Sequence, residues 1–196
     1  MPLDEPGLLS RHPWVARRPI TVADYHRMGE TGILTDRDRV ELIEGQLIAM
    51  SPIGSDHSGT VNALTYTLVR LVGERGVVAV QNPVRLDDLS EPQPDFAVLK
   101  PRPDFYRGAT PIPDDVLLLI EVANSSLAYD RAIKRALYAR HRIPEFWIVN
   151  LAGGKVEVCR TPVDGAYTEV TELGRDGVLE PALLPGVVIP VSLLLG

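Results

Sequence analysis

The stretch VLLLIEVANSSLAYDRAIKRALYARHRIPEFWIVNL, residues 116–151, decides how this chain folds. Its first eight residues, Val116–Ala123, are apolar apart from Glu121, too short a run for a core helix and suited to a buried strand. Tyr129–His141 then repeats apolar residues at helical spacing, with Tyr129, Ile133, Ala136, Leu137 and the Arg140 stem along one stripe. Glu145–Leu151 returns to a strand pattern. The result is a β-α-β unit, whose right-handed crossover sets strands 116–123 and 145–151 parallel in one sheet.

Working outward toward the C-terminus, Gly153-Gly154 turns the chain into a strand over Lys155–Arg160. Tyr167–Thr171 adds an edge strand, and Pro181–Gly196 reads as an apolar closing tail. Toward the N-terminus, Asp95–Lys100 is a strand joined to 116–123 through a loop holding Pro101, Pro103, Pro111 and Pro113. Val77–Val80 is another, ended by Asn82-Pro83. Between Ser55 and Gly73 or Gly76, His57, Val61, Leu64, Leu68, Leu71 and Val72 recur at helical spacing. VELIEGQLIAM, residues 40–50, folds as a hairpin about Glu44 and Gly45. Thr21 caps a short helix through Met28, ended by Gly29. Residues 1–20, with Pro2, Pro6, Pro13 and Pro19, form an irregular arm. The expected architecture is α/β, one domain over residues 21–196: a central mixed β-sheet flanked by helices at 55–75 and 128–141, with appended β-hairpins.

Composition narrows the function classes. With 196 residues and 45% hydrophobic content the chain can bury one substantial core. No run is long enough to span a bilayer, and Met1–Ser10 lacks the features of a secretory signal, so the cytoplasm is the expected compartment. Cys159 is the single cysteine, which excludes an intrachain disulfide and a multi-cysteine zinc cage, and a buried thiol is the expected state. No glycine-rich phosphate loop, G-x-S-x-G elbow or paired-histidine zinc motif occurs. A net charge of −6 disfavours a broad nucleic-acid surface. Arg131, Lys134, Arg135, Arg140 and Arg142 fall in one segment and make either a local basic face or an ordinary solvated helix face. Phe146 and Trp147 sit in a core strand, so packing accounts for them better than base stacking.

Asp95 and Glu121 are the candidate chemical pair. Pairing strands 95–100 and 116–123 antiparallel about the centre of their loop sets these two opposite each other on one sheet face. Like charges so placed, with Glu121 inside VLLLIEVA, require compensation. A divalent cation would supply it, since Mg²⁺ is held by one or two carboxylates with water and phosphate oxygens. The alternative is that Glu121 marks a strand end and Asp95 a turn after Pro94. Lys134, at the flank of the helical stripe, either reaches the sheet edge to stabilise charge or pairs with Asp130 one turn away. Glu41 and Glu44 point to opposite faces of an alternating strand, so at most one faces the pair. His57 points inward, as a satisfied core histidine or as a catalytic one. Gln93 either touches the site or solvates a turn.

Several of these segments together resemble a known family. Pro94-Asp95, Ile120-Glu121-Val122, NSSLAYDRAIKRALYARHRIPEFWIV (residues 124–149), and upstream VELIEGQLIAMSP (residues 40–52) with His57 are similar to the Uma2-type family of restriction-endonuclease-like proteins in the PD-(D/E)XK nuclease superfamily. The resemblance runs from Asp24 to Leu151. It implies a restriction-endonuclease-like fold, with Asp95 and Glu121 as ligands of a catalytic Mg²⁺ or Mn²⁺, Lys134 as the catalytic lysine, and Glu41, favoured over Glu44, as a further acidic group. The superfamily's usual lysine position, two after the glutamate, holds Ala123 here, so the resemblance implies that this function has moved to the helix. The expected activity is metal-dependent hydrolysis of DNA phosphodiesters, with a homodimer or higher homo-oligomer addressing both strands. A catalytically silent binding or assembly module of the same fold, and a metal-dependent phosphodiesterase acting on RNA, are the competing expectations.

Overall fold

The computed structural model describes residues 14–35 and 37–195. The expected N-terminal arm therefore lies largely outside the described residues, and its described part, 14–20, contains neither helix nor strand. Helix α1 (Val22–Glu30) begins at Thr21, whose hydroxyl accepts from the Asp24 backbone amide while the Asp24 carboxylate receives the Thr21 amide in return. It runs through Gly29 rather than stopping there. Strands β1 (Val40–Ile43) and β2 (Gln46–Ala49) form the hairpin read from the sequence. Its turn residues Glu44 and Gly45 both have positive φ, 49° and 74°, the geometry of a tight two-residue turn. A side chain at position 45 would also collide with Pro19.

Helix α2 (Ser55–Val72) follows, closed at Gly73, where φ is 55°. Then come β3 (Val77–Val80), β4 (Phe96–Leu99) and β5 (Val116–Ala123). Helix α3 spans residues 127–140 as an α-turn at Leu127–Tyr129, a π-helical segment at Asp130–Lys134 and an α-helical end at Arg135–Arg140. Strands β6 (Glu145–Asn150), β7 (Lys155–Val163) and β8 (Ala166–Gly174) complete a six-stranded sheet ordered β3-β4-β5-β6-β7-β8. Only β5 and β6 within it are parallel, so the sheet is mixed and the β-α-β reading holds. A small ladder, β9 (Val178–Leu179) with β10 (Ile189–Pro190), organises the closing tail.

Every residue of β5 is buried, which explains its near-continuous apolar composition: both faces of this central strand are covered. On one face Leu118, Ile120, Trp147, Val149, Leu64 and Leu68 pack with the tail residues Val187 and Leu194. On the other, Leu119, Ile148, Phe146, Leu137 and Tyr138 pack beneath α3. Phe146 and Trp147 are thus core residues. Among the described residues no helix is long and apolar enough to cross a membrane.

One sequence expectation fails here. The inward stripe of α3 is Asp130, Lys134, Leu137 and Tyr138, whereas Ile133 is 44% exposed and Ala136 is exposed. The inward residues recur at i, i+4, i+7 and i+8, a regular helical stripe in which Lys134 rather than Ile133 turns inward, because its partners Glu121 and Glu41 lie beneath the helix. A π segment interrupts the helix there, with the Arg135 amide reaching back five residues to the Asp130 carbonyl.

Cys159 lies across from Phe146 on β7, fully buried, and burial pushes its thiol from an ordinary 9.0 up to about 11. The folded thiol should therefore not react with an aromatic disulfide reagent at pH 8, while the unfolded chain releases one equivalent. Because the folded value is the raised one, the stability it contributes is intact below 9 and is lost as pH rises through about 11. Prompt reaction of the native protein at pH 8 would contradict this packing.

Candidate functional site

The β4–β5 ladder places Phe96 opposite Ile120, and the next step outward brings Asp95 against Glu121. Its bulge lies at the far end, between Val98 and Leu99, and leaves this pairing undisturbed. The Asp95 amide approaches Glu121 Oε2 at 3.4 Å, and the Val122 amide donates to Asp95 Oδ2 at 2.8 Å. Asp95 is further held by His57 Nε2 on Oδ2 at 3.0 Å and by the Gln81 amide on Oδ1 at 3.1 Å. Burial alone would raise its pKa, but the hydrogen bonds from His57, Val122 and Gln81 outweigh that and hold the carboxyl below its ordinary value. Glu121 behaves oppositely. Burial pushes it up to about 8 against the pull of Lys134, with Asp95 adding to the rise. Two adjacent carboxyls are thus driven apart in proton affinity, a recurrent property of acid–base sites.

Lys134 is 3% exposed and bridges two carboxylates, with Nζ 2.8 Å from Glu121 Oε1 and 3.0 Å from Glu41 Oε2. Burial opposes its charge, but Glu121 and Glu41 together raise its pKa above the ordinary value. Two tyrosines complete the network: Tyr138 donates to Glu121 Oε1 at 2.9 Å and Tyr129 to Glu41 Oε1 at 3.1 Å. The Gln93 backbone amide donates to Glu41 Oε2 at 3.1 Å, and its side chain reaches the Gln81 carbonyl. Asp130, also buried, accepts from Ser126 at 2.7 Å, and burial raises its pKa. These groups lie along a cleft of about 1070 Å³ bounded by the β1–β2 hairpin, the start of α2 and the start of α3.

The four residues singled out from the sequence, Asp95, Glu121, Lys134 and Glu41, therefore meet in space. Lys134 pairs with Glu121 and Glu41, not with its helical neighbour Asp130. Glu44 turns away into an exposed pair with Arg140. Of the basic segment, Arg131 pairs with Glu157, Arg140 with Glu44, and Lys134 is buried, which leaves Arg135 and the exposed Arg142. His57 does point inward, but onto Asp95. Gln81, Tyr129, Tyr138 and Asp130 were missed. Of these, Asp130 and Tyr138 lie four residues either side of Lys134 and share its face once Lys134 is known to point inward, while nothing local marks Gln81.

In donor chemistry the pair is all hard oxygen. The acceptor capacity least used by protein donors lies on Asp95 Oδ1 and Glu121 Oε2. Among the described residues no group of three or more His, Cys, Asp or Glu side chains is arranged to hold a metal ion.

The model of the Uma2 family, described as "Putative restriction endonuclease", matches residues 22–192. The chain belongs to the Uma2 family. Among solved structures, a protein from Anabaena variabilis described as "a putative nuclease belonging to DUF820" is similar, with a TM-score of 0.70 and 17% sequence identity over 90% of this chain and 98% of that one. That likeness establishes the nuclease fold for this Uma2 protein. No curated protein matches the sequence.

Removing Lys134 leaves Glu41 and Glu121 buried without their counter-charge. Lys134→Met should lower unfolding free energy by about 3–5 kcal/mol in urea titration, and adding Glu41→Gln to it should recover part of the loss. A loss below about 1 kcal/mol would show that the carboxylates do not depend on this ammonium.

Proposed function

We propose that this protein is a metal-dependent endonuclease that hydrolyses DNA phosphodiester bonds. The observation that carries the reading is the meeting of Asp95 and Glu121 at one end of the β4–β5 ladder with the Lys134 ammonium 2.8 Å from Glu121, in a chain of the Uma2 family. Asp95 and Glu121 would hold Mg²⁺ or Mn²⁺. Two carboxylates without a protein cage are the set Mg²⁺ uses when waters and phosphate oxygens supply the remaining positions, and the donor oxygens fit that requirement. The ion, when bound, supplies Lewis-acid stabilisation and an acidified water nucleophile.

The protein's own groups have separable roles. His57, Gln81 and the Val122 amide orient the Asp95 carboxylate, leaving Oδ1 the less encumbered oxygen. Lys134 has three N–H donors, of which Glu41 and Glu121 engage two, and the third serves the water or a charged phosphoryl oxygen. Glu41, fixed by Tyr129 and the Gln93 amide, tethers that ammonium. The position left open by Ala123 is thereby served from α3. The acceptor capacity left on Asp95 Oδ1 and Glu121 Oε2 beside the Lys134 ammonium supports catalysis over a silent binding module. RNA as substrate would use the same groups. A homodimer or higher homo-oligomer is the assembly this reading expects.

Purified protein with Mg²⁺ or Mn²⁺ should cleave DNA, assayed across single-stranded and duplex forms, and EDTA should abolish it. Asp95→Ala, Glu121→Ala and Lys134→Ala should each reduce the rate at least about 100-fold, the scale of losing one electrostatic stabiliser. Equal cleavage by all four proteins would sink the assignment.

A further inference from the structure

Resting on the nuclease reading, we infer that the strand enters this site unpaired, so that the substrate is single-stranded DNA or a locally opened strand and not continuous duplex. Three observations converge. The first is depth: Asp95, Glu121 and Glu41 are 9%, 5% and 3% exposed at the floor of the cleft. The cleft that leads to them holds about 1070 Å³ between the β1–β2 hairpin and the starts of α2 and α3. A phosphate on the outside of a paired helix does not reach that floor, whereas a flexible strand does.

The second is charge. The cations lining the cleft are Arg39 and the buried Lys134, against Asp38, Glu41, Asp95, Glu121 and Asp130. Two of the arginines on the helix that might have supplied a basic flank, Arg131 and Arg140, are paired with Glu157 and Glu44. Duplex binding draws on roughly 6–10 phosphate contacts, and the described cleft offers one exposed cation, Arg39, for that work.

The third is the wall. Tyr25 and Tyr129 both line the cleft with their hydroxyls tied down, to the Val40 carbonyl at 3.0 Å and to Glu41 at 3.1 Å, so their rings are fixed surfaces. Ile53, 43% exposed, adds apolar area at the mouth. Stacking of unpaired bases on such rings, about 1–3 kcal/mol per base, replaces the missing phosphate contacts. Paired bases cannot use them.

The test is the initial cleavage rate with Mn²⁺ on three probes of one sequence: a 30-nucleotide strand without self-complementarity, its continuous duplex, and a duplex with a central unpaired bubble. The strand and the bubble should be cut at least tenfold faster than the duplex. Raising salt from 50 to 200 mM should lower kcat/KM on the strand less than about tenfold, against the 10³–10⁵ loss of a many-phosphate duplex binder. Cleavage of the continuous duplex at an equal or higher rate, abolished by Glu121→Ala, overturns this inference and leaves the nuclease reading standing. Cleavage of none of the three overturns both.

Discussion

A buried ammonium between two carboxylates holds this molecule's functional end together. Lys134 comes from α3, Glu41 from the β1–β2 hairpin and Glu121 from the central strand, and the contacts at 2.8 and 3.0 Å bring all three elements to one point. Taking a lysine and two glutamates out of water is expensive, and the attraction among them offsets that cost only with good geometry and satisfied remaining valences. Tyr129, Tyr138 and the Gln93 amide satisfy them. The hairpin has its own two-stranded ladder and is tied to the remainder by contacts such as the Glu91 amide on the Leu42 carbonyl. The ion-pair bridge therefore contributes to positioning the hairpin as well as to the proposed chemistry.

That bridge also goes with the face of α3 that turns inward. Asp130 and Lys134 lie beneath the helix while Ile133 is exposed, so the packing there is partly ionic rather than wholly apolar. The π segment at Asp130–Lys134 coincides with this network, consistent with the concentration of π-bulges at functional sites. The neighbouring carboxyls are differentiated by the same surroundings: three donors converge on Asp95, while Glu121 is left deeper, with its proton affinity raised.

Much of this was legible in the sequence, for physical reasons. The buried strand 116–123 has a two-faced apolar run, the hairpin has its Glu44-Gly45 turn, and the loop length between β4 and β5 sets the register that opposes Asp95 and Glu121. Strand alternation allowed only one of Glu41 and Glu44 to face the pair, and the family resemblance chose Glu41. The α3 stripe was not legible, because apolar periodicity points Ile133 inward while Glu41 and Glu121, the partners of Lys134, lie on other strands. His57 was placed on the inner face correctly, but its contact with Asp95 depends on how α2 enters the fold. Gln81, one residue past β3 with a φ of 52°, reaches Asp95 through the β3–β4 pairing and carries no signature of its own. The pairing of Arg131 and Arg140 likewise depends on partners, Glu157 and Glu44, far away in sequence.

The central claim is that Asp95 and Glu121 together accept one divalent ion beside the Lys134 ammonium. Anomalous diffraction from crystals equilibrated with Mn²⁺ tests it most directly. The account predicts one strong peak in the cleft, with an oxygen of each carboxylate within about 2.2 Å and Lys134 still bonded to Glu41. Absence of a peak there at saturating Mn²⁺, or a peak coordinated by neither Asp95 nor Glu121, would contradict it.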